Sequence, residues 1–421
     1  MEALQAVVEY ILSLGNFVFV PFVLFLLAVL WFRMKPADAF RSAVLIGVGF
    51  VGIGIIVGFL INTLSPAVQA IVDRWQLGLN VVDVGNIAAI TIGSGFPTVA
   101  IYIPVGILTN LVMLGLGLTK TVNIDIWNFW YLSFIGGLTY AMTGNLLYGA
   151  IAIVIHHVLV LLLADWTQDI TEKFFNLPGV SITTGAVTTF MITAWPFIKL
   201  FERIPALDRI EVTPESIKQR LGVLGEAPVM GLALGILFGI LGGQSFQNIL
   251  KLGFNLAAVF VLLMRIVAVL MEGLVPISEQ ARKFLTERYQ GRQIYIGLDQ
   301  ALTIGHPAVL ATSLLMMPIS FFLAAILPGN RFLPSGDLII WPFVFAMIVG
   351  ACKGNIFKAV VVGSITMAIG YYLAPISAPA FTDAMVRAGL PAMEAGQLAN
   401  CTAPGITIPV ALHVLLFNLL P

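Results

Sequence analysis

Charge is what this chain has least of. Only 10% of its 421 residues are Asp, Glu, Lys or Arg, and 59% are hydrophobic. Soluble domains carry about 25% charged residues, so a water-facing globule is excluded and a polytopic membrane protein is implied. The 21 basic and 21 acidic residues cancel, which leaves no basic stripe for nucleic acid. Cys352 and Cys401 lack ligand spacing and are joined by only four histidines, so no metal site is expected. No G-x-x-x-x-G-K-[ST] loop is present. No catalytic cluster stands out either, and neither an enzyme nor a cofactor is expected. The opening MEALQAVVEYILSLG lacks a basic n-region and a cleavage site, so no signal peptide is expected.

Apolar stretches long enough to cross a bilayer fill most of the chain. The first is expected at 7–31, ended by Arg33 and Lys35, and the second at 43–64. Pro66 then opens PAVQAIVDRW, which reads as a short interfacial helix, and Pro276 opens a similar stretch. Gly231, Gly235, Gly239 and Gly243 recur every four residues and share one helix face, the pattern of close helix contact. Glu272 lies two turns from Arg265 and reads as its partner. The only long stretch of dense mixed charge is 199–220, whose Lys and Arg favour the cytoplasmic side. It divides the chain into a first transmembrane repeat (1–198), a charged loop (199–222), a second repeat (223–385) and a C-terminal polar segment with a final helix (386–421).

Two stretches break the apolar pattern. Residues 293–320 read QIYIGLDQALTIGHPAVLATSLLMMPIS, with Asp299, Gln300, Thr303 and His306 inside and Gly297, Gly305 and Pro307 interrupting any helix. Residues 83–106 read DVGNIAAITIGSGFPTVAIYIPVG, with Asp83, Asn86 and Thr91 in matching roles. Irregular polar backbone at membrane depth must be buried in protein or line a cavity. Paired broken segments commonly form a transporter's substrate site. Asp299, His306, Gln300, Thr303, Asp83, Asn86 and Thr91 are therefore candidate substrate ligands. The competing role for Asp299 and His306 is to hold the shape of the turn. Asn145 and Asn355 follow glycine breaks and suit either binding or helix capping. Glu226, in LGEAP, suits the N-terminus of a helix or the site. His156, His157 and His413 read as packed within apolar spans.

The inventory is amides, hydroxyls, carboxylates and a histidine, without an Arg cluster or an aromatic cage. It suits a neutral polyhydroxy solute. One net hydrogen bond contributes about 0.5–1.5 kcal/mol, and micromolar affinity needs about 8 kcal/mol, which a polyol with six hydroxyls could reach at the upper end of that range.

The broken segments belong to a wider internal match. With a displacement of about 210 residues, Arg41 falls on Lys251, Pro66 on Pro276, Asp125 near Asp337 and Gly144-Asn145 on Gly354-Asn355. This predicts two similar halves. If each holds an odd number of crossings, the second is inverted, as in alternating-access transporters.

At these residues the chain resembles the galactitol family of phosphotransferase-system IIC membrane components, within the ascorbate/galactitol superfamily. The resemblance rests on LIGVGFVGIG (45–54), NVVDVG (80–85), VNIDIWNFW (122–130), LGEAP (224–228), GLDQALTIGH (297–306) and LPSGDL (333–338). It departs at NIAAITIGSGFP and NCTAPGITIP, which leaves the solute open among hexitols and pentitols. The resemblance implies an all-α protein of two inverted repeats with re-entrant hairpins, a scaffold and a mobile core working as an elevator. It further implies a multi-pass homodimer in the bacterial inner membrane that passes a sugar alcohol to a IIB subunit, phosphorylated in turn by IIA. The alternative is an ion-coupled secondary transporter, with Asp299 or Asp83 binding the ion.

Overall fold

A computed structural model of the protein describes residues 16–75, 79–205, 209–214, 216, 227–288, 293–334, 336–337, 340–393 and 395–419. The first half runs α1 (Asn16–Leu26), α2 (Pro36–Trp75), β1 (Val81–Asp83), α3 (Asn86–Ser94), α4 (Tyr102–Gly115), β2 (Thr121–Asn123), α5 (Trp130–Thr143), α6 (Leu146–Lys173), β3 (Val180–Ile182) and α7 (Phe190–Glu202). The second runs α8 (Ala227–Leu241), α9 (Phe246–Arg288), β4 (Tyr295–Leu298), α10 (Pro307–Ile326), β5 (Phe332–Leu333), α11 (Trp341–Ala351), α12 (Ile356–Arg387), β6 (Leu398–Asn400) and α13 (Ile408–Phe417). Helices α6, α10 and α12 are each long and apolar enough to cross a membrane. Along α2, Phe40, Val44, Val48, Ile55 and Phe59 form an exposed apolar stripe, which water would penalise and lipid does not.

Helices α1, α2, α8 and α9 form one bundle. Its packing depends on absent side chains. A Cβ on Gly273 would stand 2.6 Å from the Ser42 carbonyl oxygen, and one on Gly235 would stand 2.5 Å from that of Leu252. Gly49 faces Leu270, and Gly52 faces Ile266. The order of these contacts makes α2 and α9 antiparallel. The same reasoning applies to α8 and α9, where Gly231, Gly235 and Gly239 meet Ala257, Gly253 and Ile249. The expected close contact of that glycine run is borne out for these three.

The prolines do not act as expected. α2 continues unbroken through Pro66 for 40 residues, and α9 through Pro276 for 43. At a rise of about 1.5 Å per residue each is about 60 Å long, twice the hydrocarbon thickness of a bilayer. The residues beyond the prolines, Ala67, Ile71 and Ile277, are buried, and that packing offsets the hydrogen bond each proline removes. The expected Arg265–Glu272 pair is also absent. Glu272 instead meets Arg41 of α2 at 3.5 Å, because the antiparallel neighbour is nearer than the next turns of its own helix.

The chain is mostly helical, but the all-α expectation needs correction. Among the described residues, six short strands form two parallel three-stranded sheets, ordered β5-β1-β6 and β2-β4-β3. In the first, Val81 pairs with Phe332 and Leu398; in the second, Ile296 pairs with Val122 … and Val180, so β4 lies between β2 and β3. Each central strand therefore sits between two strands of the other half. Strands of two to four residues are too short for alternation to register in a sequence. Since β1 follows α2 and β4 follows the antiparallel α9, the two central strands enter from opposite ends of the molecule.

Replacing Gly273 with Val should drive α2 from α9 and destabilise the protein by about 1–3 kcal/mol. A lowered unfolding midpoint in detergent, with Gly115→Ala as an open-space control, checks this.

Candidate functional site

β1 ends at Asp83 and Asp299 directly follows β4, and the structure distributes these aspartates over two clusters rather than bringing both broken segments to one point. The sheets are the reason, because β1 and β4 are the middle strands of different sheets.

At the end of β4, Asp299 caps the 3₁₀ turn Gln300–Leu302. Its Oδ1 accepts from the Ala301 N–H at 2.7 Å. Its Oδ2 accepts from Asn128 Nδ2 at 2.8 Å, and the same amide donates to Asp125 Oδ2 at 2.6 Å. Asp125 Oδ1 accepts from the Asn128 N–H at 3.4 Å. One amide thus joins two buried carboxyl groups, one from each half. Thr184 Oγ1 accepts from the Gln300 N–H at 2.9 Å, and Gln300 Nε2 donates to the Phe343 carbonyl at 2.6 Å. Gln300 Oε1 is buried and meets no donor among the described residues. Thr303 is buried and donates to the Gln300 carbonyl at 2.7 Å.

Asp125 and Asp299 border a gap against the bundle, walled by Leu24, Ile46, Phe50, Leu270 and Leu274. The gap is about 10 Å³, room for one water at most. Two carboxylates offer about eight lone-pair sites, and the protein donors named above use four of them.

At the end of β1, Asp83 Oδ1 accepts from the Gly85 N–H at 3.0 Å. Its Oδ2 accepts from Thr402 Oγ1 at 2.7 Å and from the Asp337 N–H at 3.1 Å. Asp337 accepts in turn from the Asn86 N–H at 2.6 Å and the Ala403 N–H at 3.3 Å. Asn86 therefore contributes its backbone here. Thr91 donates to the Ile87 carbonyl of its own helix at 2.9 Å.

The remaining candidates are placed elsewhere. His306 caps α10, its Nδ1 accepting from the Ala308 N–H at 3.2 Å, and its ring lies 4.4 Å from that of Phe174. Asn145 caps α6 and Asn355 caps α12, each after a glycine of positive φ. Glu226 lies outside the described residues. His156 bonds Tyr131 at 2.8 Å and His413 bonds Thr139 at 2.9 Å, all four in the interior.

Sequence reasoning missed Asp125, Asn128, Thr184, Asp337 and Thr402 as members of these two clusters. Asp125 and Asp337 were visible as matched positions in the two halves, and a buried carboxylate in one half called for a partner from the other. Asn128 lay within the VNIDIWNFW stretch, where nothing singled it out from its neighbours.

Removing the bridging amide with Asn128→Leu should destabilise the fold by about 1–3 kcal/mol, because two buried carboxyls lose a donor. Asn145→Ala should cost about 1 kcal/mol through loss of a cap and leave solute affinity unchanged. Chemical unfolding and solute titration check both.

Comparison with known proteins identifies the family. Residues 10–396 match the family model for the sugar-specific permease component of the phosphotransferase system, EIIC-GAT. The galactitol-specific EIIC component of Escherichia coli K12 is 37% identical over 394 residues, covering 93% of this chain and 86% of the relative. Its counterpart in Escherichia coli O157:H7 matches with the same identity and coverage. The chain belongs to the EIIC-GAT family of phosphotransferase-system sugar permeases and is a transport subunit rather than an enzyme.

Proposed function

We propose that this protein is a IIC subunit that binds galactitol or a related sugar alcohol and carries it across the bacterial inner membrane. A separate IIB subunit, charged by IIA, then phosphorylates the solute. The observation that carries this reading is the unfilled acceptor capacity of Asp125 and Asp299 beside the bundle. Hydroxyl groups are donors, and a polyol has several on neighbouring carbons. The relatives named for galactitol make a hexitol the first choice.

The same reading takes α1, α2, α8 and α9 as scaffold and the rest as a moving core. The gap between them is too small for a hexitol, so core and scaffold must separate to admit one. The scaffold wall is made of smooth aliphatic and aromatic side chains, a surface suited to sliding. Two inverted repeats are supported by antiparallel α2 and α9, by the exchanged strands and by the paired Gly-Asn breaks at 144–145 and 354–355. The charged loop at 199–222 would then join repeats spanning 1–198 and 223–385.

A homodimer is supported by Arg265, which is exposed partway along α9. It lies nine residues from Leu274, hence about 180° around the helix from the face that meets the core. A guanidinium at membrane depth is costly against lipid, and a second copy would cover it. Since α8 and α9 are antiparallel and Gly231 meets Ala257, α8 begins opposite the middle of α9 and faces the direction of Arg33, Lys35, Arg41 and Lys283. This concentration of cations favours the cytoplasm.

The paired carboxyls would also suit a cation, as an ion-coupled transporter requires. Solute uptake driven by an ion gradient without a phosphoryl donor would favour that reading.

Purified protein should show a thermal shift with galactitol or another hexitol. Asp299→Asn should weaken binding by about 10- to 100-fold, the worth of a charge-assisted hydrogen bond. Unchanged affinity would remove Asp299 from the site. A cysteine at Arg209 should react with a membrane-impermeant reagent in inside-out vesicles and stay protected in intact cells.

A further inference from the structure

The helix bundle carries a charged cleft that solute transport leaves unused. It opens where α2 begins beside the far part of α9 and encloses about 760 Å³. The turn before α2 contributes Arg33 and Lys35, and α9 contributes Lys283. All three are exposed, and among the described residues none makes an ion pair or a side-chain hydrogen bond. Arg41 also lines the cleft and pairs with Glu272 at 3.5 Å. Asp38 stands in the first turn of α2, where the helix dipole favours a carboxylate. Glu279 completes the acids, so four cations and three acids among the described lining residues leave a net charge of +1.

The turn is held in place. Gln280 Nε2 of α9 donates to the Phe32 carbonyl at 2.9 Å, and the Met34 N–H to the Ala28 carbonyl at 2.8 Å. Arg33 is kept at a φ of 57°, a left-handed conformation that residues with a side chain adopt only at a cost.

The cleft adjoins the exposed apolar stripe of α2. At about 100° per residue, Val44, Val48 and Ile55 fall within about 60° of Arg41, on the rim of the cleft. From Val44 to Ile55 this track is about 16 Å long, close to half of the roughly 30 Å hydrocarbon layer. A cationic cleft thus stands at the head of an apolar track about one leaflet deep.

We propose that this cleft binds an anionic phospholipid, its phosphate held by Arg33, Lys35 and Lys283 and an acyl chain laid along Val44, Val48 and Ile55. The inference goes beyond solute transport and needs only a chain that spans a bilayer. A phosphate diester complements the charge of the lining, and its chains complement the stripe. A free phosphate would use the first and leave the second. A zwitterionic headgroup brings an ammonium of its own, which the unpaired cations repel.

The test is binding of phosphatidylglycerol, against phosphatidylcholine, to the purified full-length protein in detergent. The unaltered chain should prefer phosphatidylglycerol about tenfold or more, and added salt should reduce that preference. In the triple variant Arg33→Asn, Lys35→Gln, Lys283→Gln, affinity for phosphatidylglycerol should fall about 100-fold, about fivefold for each cation removed, with solute affinity unchanged. Asparagine tolerates the left-handed conformation of Arg33, and Lys283→Gln alone should cost about fivefold if the triple variant does not fold. Glycerol phosphate that competes as well as the lipid would mark an ion site without a lipid track, and overturns the proposal. Equal binding of both lipids by the unaltered chain overturns it too, as does a preference that survives the variants. Loss of a dimer in the triple variant, with the lipid preference kept, would make the cleft a contact between copies instead.

Discussion

Inside a bilayer, a stretch of extended backbone can hydrogen-bond only to other parts of the chain. Much of this structure follows from that constraint. Each broken segment begins with a strand, and a strand without partners would leave several N–H and C=O groups unpaired in a medium that cannot solvate them. The fold supplies two partners to each, and takes both from the opposite half. The halves are therefore fastened by exchanged backbone hydrogen bonds, and neither can complete its own central strand alone.

The sheets also determine where the carboxyl groups end up. A strand running inward delivers its last residue to the interior, so Asp83 and Asp299 are placed by backbone geometry. The two ends differ in how they are filled. Around Asp83 and Asp337, backbone amides and the Thr402 hydroxyl supply donors from three separate segments. Around Asp299 and Asp125 the shared amide of Asn128 supplies most of the contact, and aliphatic side chains of the bundle close the remaining side. The first arrangement is tied by donors from several segments, whereas the second rests largely on one side chain.

Much of this was legible in the sequence, for identifiable reasons. Composition gave the membrane class, and glycine spacing marked the α8–α9 contact, because both signals repeat over many residues. The Gly-Asn breaks after α5 and α11 were visible because a left-handed glycine followed by a capping amide is a local event. The burial of Asp299 could be read from its depth in an apolar run. Its partner could not, because Asp125 is brought to it by strand pairing between distant segments. The continuous α2 and α9 were misread at Pro66 and Pro276 for the same reason: the packing that carries a helix past a proline is tertiary. Asn145 and Asn355 matched the capping alternative, which was the local one.

The narrow gap beside Asp125 and Asp299 has a physiological consequence. A permease rests for most of its life, and any continuous wet passage through it would let protons leak and dissipate the gradient that powers the cell. Leu24, Ile46, Phe50, Leu270 and Leu274 close around the acidic pair and leave room for one water at most, too few to form a chain along which a proton could pass at that point.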